Sequence, residues 1–272
     1  MNYEVIYPSP PIGGKPLLVH IPHSSTYVPA QYRDALCLDD ADLDAEILAM
    51  TDRFTDLLFG QARGYGATLF VNRVSRLVMD PERFPDNRDE PMSSKGMGAI
   101  YTRTSGGGEL RGNSFSTRDR RVIMDGLYWP YANAFRNLVA KQLDQFGECL
   151  IIDGHSFPSK ALPYEDESLL RPDICFGYEA FHEPNGLVDI LQDACRREGL
   201  KTARNQPFSG SYAPADYFQK EKRVKSIMIE VNRSLYMDEM NGIKSAHYSQ
   251  LGEVLERLIS ASDTWIREID TW

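Results

Sequence analysis

The chain has 272 residues, 42% hydrophobic and 25% charged, with a formal net charge of −9, so it can bury a sizeable core, and residues 1–272 are expected to form one domain with no linker. An acidic balance lacks the basic stripe that a phosphate backbone needs, which argues against a nucleic-acid partner and leaves any anionic ligand to local arginines. No charged-then-apolar leader opens the sequence and no apolar run approaches the ~20 residues that span a bilayer, so no membrane partner is expected, and the reading is a soluble cytoplasmic protein, monomer or small homo-oligomer.

Residues 1–16 carry Pro8, Pro10, Pro11, Gly13, Gly14 and Pro16 and read as an irregular arm. Leu17–Ile21 is the first strand, followed at once by Pro22-His23-Ser24. From Asp39 the chain turns acidic, and Ile47, Leu48, Phe54, Leu57 and Leu58 recur at helical spacing, predicting an amphipathic helix over 44–62 with Asp52 and Asp56 on one face. Ala67–Val71 reads as a second strand, leading into Arg73, Arg76 and Arg83. Residues 84–120, rich in Gly, Pro, Ser and Asn, read as a long loop, the kind of insert that shapes a binding site. Helical periodicity returns over 120–146, with Pro130 kinking or restarting it.

Cys149–Ile152 reads as a short strand buried on both faces, running into Asp153-Gly154-His155-Ser156, where Gly154 permits a sharp turn. Strands are further expected at 173–177 and 226–231, and helices at 186–198 and 245–269. This alternation predicts an α/β fold: a mixed, mostly parallel central sheet with helices on both faces. Cys37, Cys149, Cys175 and Cys195 form no C-x-x-C pair and read as reduced core thiols.

His23 and His155 each follow an apolar strand and precede a serine. Open α/β sheets gather strand ends on one rim, so the two imidazoles are expected to meet at one zinc, with a third protein ligand and one open position. Ser24, Ser25 and Thr26 offer no carboxylate, so the third ligand comes from elsewhere: Asp52 first, with Asp56, Glu46 and Asp44 behind it. The bland reading of these acids is a solvated helix face. His20, His182 and His247 are read as structural.

Glu230 lies in the apolar run Ile227–Val231, where an unpaired carboxylate costs several kcal/mol. It is therefore either the general base of a hydrolase or one half of an ion pair, for instance with Arg233. Guanidinium forks at Arg73, Arg76 and Arg83 can grip a carboxylate or steady an oxyanion; the alternative is surface pairing with Asp80 and Glu82.

Five segments, in order, resemble the N-formylglutamate amidohydrolase family, a branch of the zinc-carboxypeptidase-like and aspartoacylase-like hydrolases: Ile21–Ser24; Thr51-Asp52 with Asp56–Phe59; Ser75–Asp80; Asp153–Ser156; and Ile229–Arg233 with Tyr236-Met237. The resemblance implies a phosphorylase/hydrolase-like fold and zinc-dependent hydrolysis of the C–N bond in a small, carboxylate-bearing N-acyl or N-formyl amino acid such as N-formylglutamate. It implies His23 and His155 as metal ligands completed by a carboxylate, Glu230 activating water, Arg76 polarising the carbonyl and Arg83 gripping the substrate carboxylate. It also implies a substrate-lining loop at Ser209-Gly210-Ser211-Tyr212. Where the family has Asp-Leu-Asn-Arg, this chain has Asp80-Pro81-Glu82-Arg83, and Arg53 replaces a common aromatic. An inward-pointing Glu82 would repel a carboxylate. Two other readings stay open: a metallo-carboxypeptidase or peptidoglycan-type amidase using the 84–120 loop as a groove, and a non-catalytic metal- or ligand-binding relative.

Overall fold

The computed structural model describes residues 2–8, 10 and 12–269; Met1, Ser9 and Pro11 of the expected arm lie outside the described residues. Seven strands form the central sheet: β1 (Tyr3–Ile6), β2 (Leu17–Ile21), β3 (Thr68–Asn72), β4 (Cys149–Phe157), β5 (Ile174–Gly177), β6 (Thr202–Arg204) and β7 (Val224–Asn232). Their spatial order is β1-β3-β2-β4-β7-β5-β6. Strands β3, β2, β4 and β7 run parallel, β1 closes one edge antiparallel to β3, and β5 pairs antiparallel with β7.

The helices are α1 (Ala30–Arg33), α2 (Asp40–Met50), α3 (Thr55–Leu58), α4 (Thr117–Ile123), α5 (Trp129–Phe146), α6 (Leu187–Arg197) and α7 (Tyr248–Ile269). Alternate residues of a strand point to opposite faces, and the core divides accordingly. Leu17, Val19 and Ile21 pack with Leu191, Leu255 and Leu258 of α6 and α7, whereas Leu18, Phe70 and Ile151 meet Phe135, Leu138 and Val139 of α5. Covered on both sides, β2, β3 and β4 are buried at every position, which is why they read as continuous apolar runs. Among the described residues no helix is long and apolar enough to cross a membrane.

Three local expectations are corrected. Tyr3–Ile6 belongs to the sheet rather than to an irregular arm; its pairing with β3 is a non-local event that short-range composition does not encode. The helix expected over 44–62 is broken: α2 ends at Met50, Phe54 takes a left-handed φ of 68°, and α3 starts at Thr55. Asp52 therefore sits in the break, not on a helix face with Asp56. Pro130 does restart the helix as expected: a wider turn over Met124–Tyr128 before it joins α4 to α5, where the missing proline N–H is accommodated.

The third correction concerns β4, which does not stop at Ile152. It runs through Asp153, Gly154 and His155 to Phe157, pairing with β7 throughout. Gly154 makes no turn. A Cβ there would lie 2.8 Å from Cδ2 of Phe59, so the glycine lets an aromatic ring close onto the strand.

Candidate active site

Three parallel strands deliver the reactive groups to one rim. His23 follows β2 by two residues, His155 lies in β4, and Glu230, its Cα partner in register, lies in β7. Asp52 joins them because its N–H donates to the His23 carbonyl at 3.0 Å, tying the α2–α3 break to the end of β2. Asn72, at the end of β3, donates to the Pro22 carbonyl at 2.8 Å and fixes the same turn.

His23 Nδ1 and His155 Nδ1 stand 3.3 Å apart, and Asp52 Oδ2 lies 3.1 Å from the second and 3.7 Å from the first. The opposite ring nitrogens face carboxylates: His23 Nε2 meets Asp80 Oδ1 at 2.9 Å, and His155 Nε2 meets Asp153 Oδ1 at 3.1 Å and Glu82 Oε1 at 3.2 Å. Those acceptors place the N–H on each Nε2 and leave two Nδ1 lone pairs turned on a carboxylate oxygen. Three buried acceptors facing one another need a cation or protons between them. A tetrahedral zinc with bonds of about 2.0–2.1 Å separates its ligands by roughly 3.3 Å, so the donor set fits that ion. His20, Glu82 and Asp153, and likewise His23, Asp80 and Glu82, also cluster closely, but their contacts are those of the hydrogen-bonded layer that orients the two imidazoles.

The electrostatics agree. Burial opposes ionisation of Asp52, yet hydrogen bonds to His155 and His23 and the Arg233 charge hold it far below the usual carboxylate range. Burial likewise works against charge on His155, but Glu82 and Asp153 hold its pKa well above the ordinary imidazole value. Arg233 Nη2 donates to Asp52 Oδ1 at 2.9 Å, leaving Oδ2 for the shared centre.

Glu230 is only 8% exposed and its Oε2 has no hydrogen-bond partner. Burial raises its pKa to about 8, against the charges of His155 and Arg233. The ion pair with Arg233 does not form; that arginine serves Asp52.

A cavity of about 620 Å³ opens beside these groups, lined by His23, Asp52, His155 and Glu230 together with Arg76 and Arg83. Arg76 donates to Asp80 Oδ2 at 2.8 Å and to the Tyr101 hydroxyl at 3.1 Å. Arg83 is weakly held, 3.6 Å from Asp80 and 3.9 Å from Glu90, and its buried Nε has no hydrogen-bond partner.

With this geometry in hand, comparison with known proteins is decisive. The sequence pattern of N-formylglutamate amidohydrolase matches residues 15–237. The chain belongs to the N-formylglutamate amidohydrolase family. It is 28% identical over 232 residues to an N-formylglutamate deformylase of Pseudomonas putida, covering 84% of each chain. Against a deformylase of Pseudomonas aeruginosa the identity is again 28%, over 94% of this chain and 96% of the relative. Among solved structures, the fold is similar to an N-formylglutamate amidohydrolase from Ralstonia eutropha, with a TM-score of 0.85 at 21% identity over 98% of this chain and 99% of that one. A gene product of Agrobacterium tumefaciens follows with a TM-score of 0.68 at 19% identity, covering 97% and 95%.

Of the residues singled out in the sequence, most meet in this cavity. Ser209, Gly210 and Tyr212 line it, and the Tyr212 N–H donates to Asp153 Oδ2 at 3.1 Å. Arg73 is a correction: it points away, bridging Glu4 at 2.6 Å and Asp56 at 3.0 Å on the surface, and does not line the cavity. The other candidate third ligands also lie elsewhere. Glu46 accepts hydrogen bonds from Ser105, Asp56 is engaged by Arg73, and Asp44 is exposed.

His20, read from the sequence as structural, is a satisfied core residue that also backs the site. It is fully buried, with Nδ1 2.8 Å from Asp153 Oδ1 and Nε2 2.7 Å from the Tyr131 hydroxyl, and its ring stacks between Phe135 and Tyr212 at 4.7 Å from each. Asp153 thus holds His20 and His155 together. The signal was present: a histidine at the fourth position of a five-residue buried strand needs a partner for each ring nitrogen, as a buried Glu230 does. His182 is likewise a satisfied core residue, away from the cavity, on the Val224 carbonyl at 2.7 Å and the Gln219 N–H at 2.8 Å.

Proposed function

We infer that this chain is a zinc-dependent amidohydrolase that cleaves the C–N bond of a small N-acyl amino acid, with N-formylglutamate as the reference substrate. The observation that carries the reading is the convergence of His23 Nδ1, His155 Nδ1 and Asp52 Oδ2 beside the unpartnered Oε2 of Glu230. Family membership and the deformylase activity named for the two Pseudomonas relatives support the reaction class.

A zinc ion held by those three atoms would supply a Lewis acid, lowering the pKa of a water and polarising the substrate carbonyl. The chain's own groups divide the rest of the work. Glu230 takes a proton from the attacking water at Oε2 and returns it to the leaving amine, a task suited to a buried carboxyl raised toward neutrality. Arg76, kept cationic by Asp80 and Tyr101 against the cost of burial, faces the charge that develops on the carbonyl oxygen. Arg83, with uncommitted donors, forks the substrate carboxylate. Ser209, Gly210 and Tyr212 wall the substrate in. Isolated cysteines at Cys37, Cys149, Cys175 and Cys195 suit a reducing compartment, and we place the enzyme in the cytoplasm.

The test is to incubate zinc-loaded protein with N-formylglutamate and other N-acyl amino acids and to measure formate, or the corresponding acid, with the free amino acid. Stoichiometric release of both is expected. Bound zinc with no hydrolysis of any N-acyl amino acid would overturn the assignment.

A further inference from the structure

Arg76, Arg83, Lys95 and Arg233 bring positive charge to the cavity lining. Two of them are spent inside the protein, Arg76 on Asp80 and Arg233 on Asp52. The other two are not. Arg83 stands 3.6 Å from Asp80 and 3.9 Å from Glu90, with its buried Nε unpartnered. Among the described residues Lys95 forms no ion pair, and its Nζ donates to the neutral Tyr164 carbonyl at 2.8 Å. An ammonium carries three N–H groups, so two donors and the full charge remain for a ligand. Glu165, next to Tyr164 in the same lining, pairs with Arg171 instead of Lys95.

The position of Lys95 is built. The buried Glu90 carboxylate accepts the Phe84 N–H on one oxygen and the Met92 N–H on the other, each at 2.9 Å. It thereby joins the residue after Arg83 to the short 3-10 helix Pro91–Lys95, which Gly96 ends with a left-handed φ of 76°. Met92, Leu162 and Tyr164 pack on one buried cluster that includes Met50, Met97 and Tyr101, so the segment that carries Lys95 and the loop that receives its Nζ are fixed to each other. Arg83 follows Glu82, whose carboxylate lies 3.2 Å from His155, and belongs to the reacting end of the cavity. Lys95 is exposed and belongs to its mouth.

We propose that Lys95 is the residue that determines specificity for the substrate side chain: it takes a second carboxylate, carried by the side chain of a dicarboxylic N-acyl amino acid, while Arg83 forks the α-carboxylate. The proposal rests on the amidohydrolase reading above and adds to it the group that separates acidic from neutral side chains. A side-chain carboxylate at the mouth gains the ammonium charge together with its hydrogen bonds, whereas a carboxamide of the same shape gains the hydrogen bonds alone.

The experiment compares kcat and KM of the zinc-loaded enzyme for N-formyl-L-glutamate and N-formyl-L-glutamine in the parent, Lys95→Met and Lys95→Arg. Calorimetry measures binding of the same two compounds to zinc-loaded Glu230→Gln, with and without Lys95→Met. The parent is expected to favour the glutamate compound by about tenfold in kcat/KM. Lys95→Met should bring the two compounds to near equality, chiefly through KM, and Lys95→Arg should keep the preference. A preference that survives Lys95→Met overturns the role of Lys95 and leaves the hydrolase standing, as does a parent that turns over both compounds equally. Binding that favours the glutamate compound and depends on Lys95, with neither compound hydrolysed by the parent, overturns the hydrolase and leaves the side-chain site.

Discussion

His155 and Glu230 are Cα partners on the adjacent parallel strands β4 and β7, so one rung of the sheet presents the imidazole proposed as a metal ligand beside an unpartnered carboxyl. Strand register thus sets the spacing of the proposed ligand and base, and neither depends on a loop. Replacing Glu230 with Gln keeps the size and removes the proton acceptor. Turnover should fall by about 10³-fold, the usual contribution of a general base being about 10²–10⁴, with zinc content unchanged by elemental analysis. Loss of zinc together with activity would place Glu230 among the ligands instead.

The same residue governs how metal-free protein responds to pH. Burial raises the folded-state pKa of Glu230 to about 8, above its ordinary 4.5. Its contribution to stability is therefore complete below pH 4.5 and is lost as the pH climbs through about 8, because the buried group must then ionise. Glu230→Gln is neutral at every pH and lacks that decline. Urea midpoints at about pH 6 and about pH 9 should fall more steeply for the parent chain than for the variant; parallel declines would show that Glu230 does not carry this dependence.

Asp52 and Asp56 separate the two views of the acidic segment. Asp52→Asn removes a charged ligand from the converging trio and should weaken zinc binding by more than ~100-fold, beyond the ~10–100-fold typical of residues that only orient ligands. Asp56→Asn breaks a surface pair with Arg73 and should change zinc affinity by less than about threefold. Competition with a fluorescent chelator measures both constants. The reverse order would restore Asp56 as the ligand.

Gly154 was legible as a special position, though for a reason other than the one that holds. The apolar run Cys149–Ile152 followed by Asp-Gly reads as a strand ending in a turn, because glycine most often serves positive φ. In the fold it serves close approach, with Phe59 against its Cα. Gly154→Ala should cost about 1–3 kcal/mol by overpacking, read as a lower urea midpoint with an unchanged slope; a midpoint within about 0.3 kcal/mol of the parent would show that Phe59 yields freely.

The pairing of His23 with His155 could be read from the sequence because two apolar strands each lead to a histidine and a parallel sheet brings such positions to one rim. First-strand bounds were equally clear, since Pro16 and Pro22 bracket Leu17–Ile21. The position of Asp52 was not, since a two-turn apolar rhythm conceals the break at Thr51–Phe54, where a left-handed phenylalanine redirects the chain. Nor was the layer of Asp80, Asp153 and His20 behind the ligands, which depends on strands β2 and β4 lying side by side, with His20 opposite Asp153. Local patterns report faces and ends of elements; the partners across them emerge only from the register.

The most direct test of the account is reconstitution. Protein stripped with chelator to less than about 0.05 zinc per chain should release no formate from its best N-formyl amino acid, and activity should return in proportion to added zinc, saturating at about one ion per chain. If stripped protein, shown metal-free by elemental analysis, releases formate at the undiminished rate, the zinc centre at His23, Asp52 and His155 is not the seat of the reaction.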